Sequence, residues 1–514
     1  MNGYRRPATT VLPVDAVRRI EAEAMAGLPE GTLMQRAAAA IAVQAGGMLR
    51  EIRGRVSGSR VVLLVGSGDN GGDALYAGAR LASRGARVDA LLVADRHHSD
   101  GAAALRRVGG CIHPPVQLGD VHAAELVAEA DLVLDGILGI GGRGGLREPA
   151  AWLAAIAHET DVAVLAVDLP SGVDAGTGAA DPDAAVHADR TVVMGALKPG
   201  LLLGEGAALA GELAVVDIGL DLESADDDEL VVRVDDDAAA AVLERPDPFD
   251  DKYSRGVVGI CAGSGAYPGA AVLSVSGARH GLAGYVRYAG GAHAALVAAW
   301  PDVVAVGGGV EDAGRTQSWV VGPGRGTGDE ALADVLAALA LDVPVLLDAD
   351  ALTVLAEHDE VRDAVTGREA VTVLTPHAGE FARITGRDVG DDRIADVRAL
   401  AAELGAVVLL KGSATVVASP SGAAFLSVAG PPELATAGSG DVLSGLIGSL
   451  LAHHEAVAEV DHDLAAALAA AGAYVHGVAA SLAVGGGRTI TAVDVGRSLP
   501  DAVARLRRSP STGL

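Results

Sequence analysis

The chain has 514 residues, half of them hydrophobic and only 3% aromatic, with 69 glycines and two cysteines. At roughly 100–200 residues per domain, that length demands more than one core. Its 67 acidic and 39 basic residues leave a formal charge of −28; such a surface excludes nucleic-acid backbones and anionic lipid as partners, and two cysteines exclude a disulfide framework.

The first fifteen residues lack the apolar core of a signal peptide, so a soluble, cytoplasmic protein is expected. Apolar residues recur at helical spacing over 14–25 and 32–49. Short runs rich in Val and Leu follow at 60–65, 88–93, 132–134, 162–167, 191–194 and 213–216. Alanine-rich segments separate several of them, which predicts a parallel sheet covered on both faces. Acid-rich, proline-bearing text then marks a boundary, placing a first domain over 1–225, a linker over 226–250 and a second domain over 251–508. The second domain alternates again, with strands predicted at 257–261, 319–321, 343–347, 371–374 and 407–410. An uncharged stretch at 464–487 has the length of a membrane span. Its Ala and Gly content, with Tyr474 and His476, predicts a buried helix instead.

In the first half, Gly66 to Gly71 satisfies G-x-G-x-x-G between a strand and a helix, with Asp89 lying 18 residues after Gly71. A Rossmann dinucleotide turn and a plain tight turn are both open on these residues alone. Asp135 ends a second strand and precedes a glycine-rich loop at 139–145. Asp168, with Ser171 close behind, ends a third. Carboxyl ends lie together in a parallel sheet, so Asn70, Asp73, Asp135, Asp168 and Ser171 are placed to line one crevice. Such oxygens suit a hard cation, or a carboxylate acting on a proton. One acid alone is better read as a turn cap; three beside two glycine loops favour a site.

In the second half, Gly438-Ser439-Gly440-Asp441 opens a helix, where successive N–H groups can hold phosphate and an acid can take a hydroxyl proton. Lys411-Gly412-Ser413-Ala414-Thr415 follows a strand and offers a cation and hydroxyls. Ala270 lies in a loop with Gly263, Gly265 and Gly269; Gly322-Pro323-Gly324 and Thr375-Pro376-His377 each follow a strand. No G-x-x-x-x-G-K-[ST] and no G-x-S-x-G occurs, which excludes a P-loop and the usual hydrolase elbow.

The first-half motifs (69–73, 135–139, 168–174, 191–200 and 216–219) together resemble the NAD(P)H-hydrate epimerase family, a Rossmann-like three-layer sandwich. The resemblance implies that Asp69, Asn70, Gly71, Gly72 and Asp73 bind the hydrated dinucleotide. It gives the same role to Gly139, Ile140, Gly141, Gly142, Arg143, Gly144 and Gly145. It further implies K⁺ at Asn70, Asp135 and Ser171, with Asp168 catalytic at the reacting ring. Asp69 and Ala74 depart from the pattern, which has asparagine and glycine there.

The G-x-G-D signature is ribokinase-like. With Lys252, Asp348, Asp350 and residues 375–380 it is more narrowly similar to the ADP-dependent NAD(P)H-hydrate dehydratase. That resemblance implies nucleotide contacts from Lys411, Gly412, Ser413, Ala414, Thr415 and Gly440. Ala270, Gly322, Gly324, His377 and Asp441 would meet the hydrated dinucleotide, with Asp441 as base and Mg²⁺ on the phosphates. The combined expectation is an α/β, two-domain repair enzyme that epimerises 6R and 6S NAD(P)H hydrate and dehydrates the S form with ADP. Its partners would be small molecules, and a homo-oligomer is expected. The competing reading is a vitamin-type kinase carrying a non-catalytic N-terminal binding module.

Overall fold

The structure, a computed structural model, describes residues 10–226 and 229–508. Most of the N-terminal stretch read for a signal segment lies outside the described residues, as do Asp227 and Asp228 of the acidic run. The chain divides into two compact units at Leu230/Val231.

In the first unit seven strands form one parallel sheet. Their order is Cys111–Ile112, Arg87–Leu92, Arg60–Val65, Leu132–Gly136, Val164–Val167, Arg190–Met194 and Glu212–Val216. The inner strands are apolar on both faces because helices cover both: Thr32–Arg53 and Asp69–Ala82 on one side, Val121–Ala128 and Ala150–Glu159 on the other. The chain runs outward from Arg60–Val65 in one direction, then returns to build from Leu132–Gly136 in the other. The reversal between these two strands opens a crevice at their carboxyl ends.

The second unit orders its strands Val231–Arg233, Ala424–Ser427, Thr415–Ala418, Val407–Leu410, Thr372–Leu374, Val345–Leu347, Ser318–Val321, Val257–Cys261, Tyr285–Ala289 and Val304–Val306. Pairing is parallel except where Thr415–Ala418 meets Val407–Leu410 and Ala424–Ser427. Helix Ser439–Val457 packs so closely on helix Pro268–Arg279 that a Cβ at Gly277 would sit 1.9 Å from the Val442 carbonyl oxygen. The apolar helix His462–Val484 has the length of a membrane span, yet most of it is buried within this unit. Both cysteines are free thiols.

The acidic stretch expected as a linker is partly an element of the second unit. Val231–Arg233 pairs with Ala424–Ser427, and helix Asp236–Ala241 follows, capped by the Asp235 carboxylate. Val234, Ala239 and Leu243 are buried in the second core, and Asp236 accepts a hydrogen bond from the Tyr474 hydroxyl at 2.7 Å. The acidic composition hid this because its charges lie on the outer turns, while the buried side chains number only a few. A fragment starting at 245 therefore loses several buried side chains, on the order of 5 kcal/mol of burial free energy. Urea unfolding of 231–514 and 245–514 is expected to show the shorter fragment much less stable or insoluble; equal midpoints would place the boundary later.

Candidate active sites

In the first unit the glycine turn sits at the crevice because nothing larger fits: a Cβ at Gly66 would lie 1.9 Å from the Ile137 carbonyl oxygen. That close approach brings the N-terminus of helix Asp69–Ala82 beside the Leu132–Gly136 strand end. Asn70 then ties the helix to both neighbouring strands, donating to the carbonyls of Leu138 and Val167, each at 2.9 Å. Asp135 is fully buried and accepts from the Ser171 N–H (2.8 Å), the Ser171 hydroxyl (2.7 Å) and the Ile137 N–H (3.2 Å). Burial pushes its carboxyl up to about 6, against the pull of these hydrogen bonds. The Leu138 N–H donates to Ser171 Oγ at 2.8 Å, so Asn70, Asp135 and Ser171 converge around Leu138.

Asp168 occupies the left-handed region at φ 65°, a conformation that costs a non-glycine residue about 1–3 kcal/mol unless its surroundings impose it. Here they do. Its Oδ1 accepts from Lys198 Nζ at 2.5 Å and from the Met194 N–H at 3.0 Å, and the Lys198 side chain is completely buried. Lys198 also donates to the Met194 carbonyl at 3.1 Å. Around this ammonium gathers a surplus of acid. Burial, followed by the charges of Asp168, Asp69 and Glu21, holds the Asp73 carboxyl well above the usual range, and its Oδ1 has no hydrogen-bond partner among the described residues. Glu21 is likewise raised by burial and by Asp168 and Asp69, with Lys198 and Arg18 pulling the other way. The Asp69 departure thus adds a charge to an already acidic pocket. The second glycine loop is anchored where Arg18 donates to the Ile140 carbonyl at 3.0 Å. Asp89, by contrast, lies in mid-strand, buried, and bonds His113 at 2.9 Å. It is not the strand-end acid that a Rossmann reading requires.

In the second unit, three strand ends and one helix start meet. Asp348, just past Val345–Leu347, is buried and receives Lys411 Nζ on Oδ1 at 2.7 Å and the Ser444 hydroxyl on Oδ2. Lys411, past Val407–Leu410, also lies 3.8 Å from Glu380. Burial alone would lower the Lys411 pKa; Asp348, Glu380 and Asp441 outweigh it and raise the value above the ordinary one. The ammonium lies over the first turn of helix Ser439–Val457, 3.6 Å from where a Cβ at Gly440 would stand. Asp441 on that turn is pushed up to about 7 by burial first and by Asp348 and Asp350 next, with Lys411 opposing.

His377 caps helix Ala378–Thr385: its Nδ1 accepts from the Gly379 and Glu380 N–H groups, while Glu380 Oε2 accepts from the His377 N–H. The ring is therefore oriented through Glu380, which borders Lys411. Gly322 at φ 125° passes so close to Asp348 that a Cβ would lie 2.0 Å from its carbonyl oxygen. Gly324 packs on Ala270, 2.7 Å from an added Cβ. Ala270, Gly322 and Gly324 thus join the Asp348–Lys411–Asp441 group through one backbone contact. Of the remaining nucleotide candidates, Ala414 is buried, Thr415 starts a strand, Ser413 is exposed, and Gly412 packs on the Arg393 guanidinium.

Two family models match. One, described as YjeF-related protein N-terminus, covers residues 30–200; the other, NAD(P)H-hydrate dehydratase, covers 258–500. A bifunctional NAD(P)H-hydrate repair enzyme Nnr of Mycobacterium tuberculosis is 49% identical over 440 residues, spanning 85% of this chain and 88% of that protein. The chain belongs to the bifunctional NAD(P)H-hydrate repair enzyme family. The Mycobacterium leprae relative of the same name is 48% identical, covering 89% of this chain and 93% of its own length. A solved structure, an ADP/ATP-dependent NAD(P)H-hydrate dehydratase from Bacillus subtilis co-crystallised with ATP/Mg²⁺, is 27% identical. It covers 54% of this chain and 99% of that one, with a TM-score of 0.45.

Sequence reasoning missed several of the contacts made at these candidate sites. Lys198 and Asp348 lay inside motifs already singled out, yet no spacing rule pairs Lys198 with Asp168 or Asp348 with Lys411. Ser444 had one faint signal, a hydroxyl one turn after Asp441. Glu21 and Arg393 carried none, since each reaches its site from a helix remote in sequence.

Proposed function

We propose that the first unit epimerises the 6R and 6S forms of hydrated NADH or NADPH, and that the second dehydrates the S form with ADP as phosphoryl donor. The observation that carries the second half is Asp441 on a helix N-terminal turn, beside Lys411 and with its carboxyl poised near 7, where a general base works best at neutral pH. Asp441 takes the proton of the ring hydroxyl as that oxygen attacks the terminal phosphorus of ADP, and the bond from that phosphorus to the bridging oxygen breaks to release AMP. Helix N–H groups from Gly440 onward and the Lys411 ammonium balance phosphate charge. Loss of phosphate from the ring carbon and of a proton from its neighbour then restores the diene.

Among the described residues no three His, Cys, Asp or Glu side chains stand close enough to hold a metal ion by themselves, so Mg²⁺ would enter this site with the nucleotide, held chiefly by its phosphates. When bound, the ion neutralises those phosphates. In the first unit the amide, carboxylate and hydroxyl oxygens of Asn70, Asp135 and Ser171 fit K⁺. No positively charged side chain is among the influences on the buried Asp135, and a bound cation supplies that missing charge. Asp168, with one oxygen held by Lys198 and Met194, presents the other to the C6 hydroxyl. It takes that proton as the C6–N1 bond breaks to leave an aldehyde at C6, and returns it when N1 adds back to the opposite face of that carbonyl.

The direct test incubates mixed epimers with Mg²⁺ and ADP or ATP and follows absorbance of the reduced ring. Full recovery of both epimers is expected; recovery of neither, with a stable phosphorylated alcohol released instead, would establish the kinase reading. The base must be deprotonated, so kcat/KM for dehydration is expected to fall about tenfold per pH unit below about pH 7 and to level off above it. A flat profile from pH 5.5 to 8.5 removes Asp441 from that role.

A further inference from the structure

Beside the first-unit crevice lies a second concavity, a cleft of about 310 Å³ lined by Val93, Asp95, Val116, Leu118, Glu148 and Pro149 among others. Small-molecule sites span roughly 300–1,000 Å³, so this cleft suits one end of a dinucleotide rather than the whole. Its place in the sheet is informative. Val93 and Val116 follow strands Arg87–Leu92 and Cys111–Ile112, on one side of the reversal, whereas Asp135 and Asp168 follow strands on the other side. The glycine turn lies between: the Val93 N–H donates to the Val65 carbonyl at 3.0 Å, one residue before Gly66. Further along the same segment, His98 packs on Gly72, where an added Cβ would be 3.1 Å from its ring. The segment that walls the cleft is therefore held against the turn that would take the pyrophosphate.

In doubly wound folds, the ligand half that crosses the reversal point puts its ribose against an acid at the end of the second strand. Asp89 cannot serve, being buried in mid-strand on His113. Asp95 is exposed, lies just past that strand's end, and lines the cleft together with Glu148.

We infer that this cleft is the adenosine subsite of the epimerase unit, and that Asp95 selects dinucleotides with a free ribose 2′-hydroxyl over those with a 2′-phosphate. The inference rests on the epimerase reading above. The carboxylate accepts a hydrogen bond from the 2′-hydroxyl, and Asp95 and Glu148 together repel a 2′-phosphate. The adjacent cations Arg96 and Arg147 are exposed and do not line the cleft. Val116 and Leu118 offer apolar surface to the base.

The test uses the full-length protein without ADP, so that only epimerisation runs, with chromatographic resolution of the epimers of hydrated NADH and hydrated NADPH. The wild type is expected to favour hydrated NADH in kcat/KM by about tenfold or more, the effect of one charge-assisted hydrogen bond. Adenosine 5′-phosphate should inhibit epimerisation more strongly than its 2′-phosphorylated form. D95N should narrow both ratios toward one. Equal use of the two substrates by the wild type, or ratios that D95N leaves unmoved, overturns the subsite while epimerase activity stands. Absence of epimerisation with either substrate overturns the epimerase reading itself.

Discussion

Asp441→Asn is expected to abolish ADP-dependent recovery of reduced cofactor from the S epimer, with kcat lowered by about 10²–10⁴, the range that a general base contributes. The substitution is nearly isosteric, and Asp441 makes no salt bridge that the fold depends on; its neighbours Asp348 and Lys411 bond each other. Removing a partly buried carboxylate from beside Asp348 and Asp350 relieves repulsion, so thermal stability should hold or rise. Epimerisation by the first unit should continue at its original rate. Turnover of the S epimer at the wild-type rate would remove Asp441 from the mechanism, and loss of both activities would show a folding defect instead.

Asp168→Asn has the opposite stability signature. It should halt consumption of the R epimer beyond the spontaneous rate while leaving dehydration of the S epimer intact. It also strands the fully buried Lys198 ammonium opposite a neutral amide. Breaking a buried pair from one side typically costs about 3–5 kcal/mol, so the first unit should lose amide protection in hydrogen exchange while the second retains it. Adding Lys198→Met should restore much of that stability, because a buried pair can be replaced by apolar volume at little net cost, yet restore no epimerisation. Retained R-epimer turnover in Asp168→Asn would overturn its role. An undiminished hydrogen-exchange profile would show that the pair contributes no net stability.

Much of both sites was legible from residue order alone, because parallel α/β sheets gather chemistry at strand ends. Asp135, Asp168 and Ser171 were readable as one crevice from their positions after successive apolar runs, and the helix start at 439–441 from its glycines. The strands at 60–65, 257–261 and 407–410 fall where the apolar runs predict, since buried inner strands leave continuous Val and Leu. Strands with mixed faces left weaker traces: Tyr285–Ala289 carries Arg287, and Cys111–Ile112 is two residues long at a sheet edge. The hairpin of Thr415–Ala418 and Ala424–Ser427 was not among the predicted strands; its first residue, Thr415, closes the segment that the resemblance assigns to the nucleotide.

The net charge that excluded polyanionic partners acquires its meaning only in three dimensions. By itself the sequence determined the class of fold, the two-domain order and the family, because period, glycine placement and strand-end motifs are local properties written in consecutive residues. It also showed that only Lys198, Lys252 and Lys411 break an otherwise all-arginine basic set. Only the tertiary structure decided that two of those lysines pair with carboxylates of the candidate sites, Lys198 fully buried on Asp168 and Lys411 partly buried on Asp348. It alone showed Asp89 buried in mid-strand on His113, and moved the start of the second unit back to Val231. Each of these depends on which side chains meet across 24 or more residues of chain, and on how much water their meeting excludes. Packing sets both, and no pattern in consecutive residues encodes them.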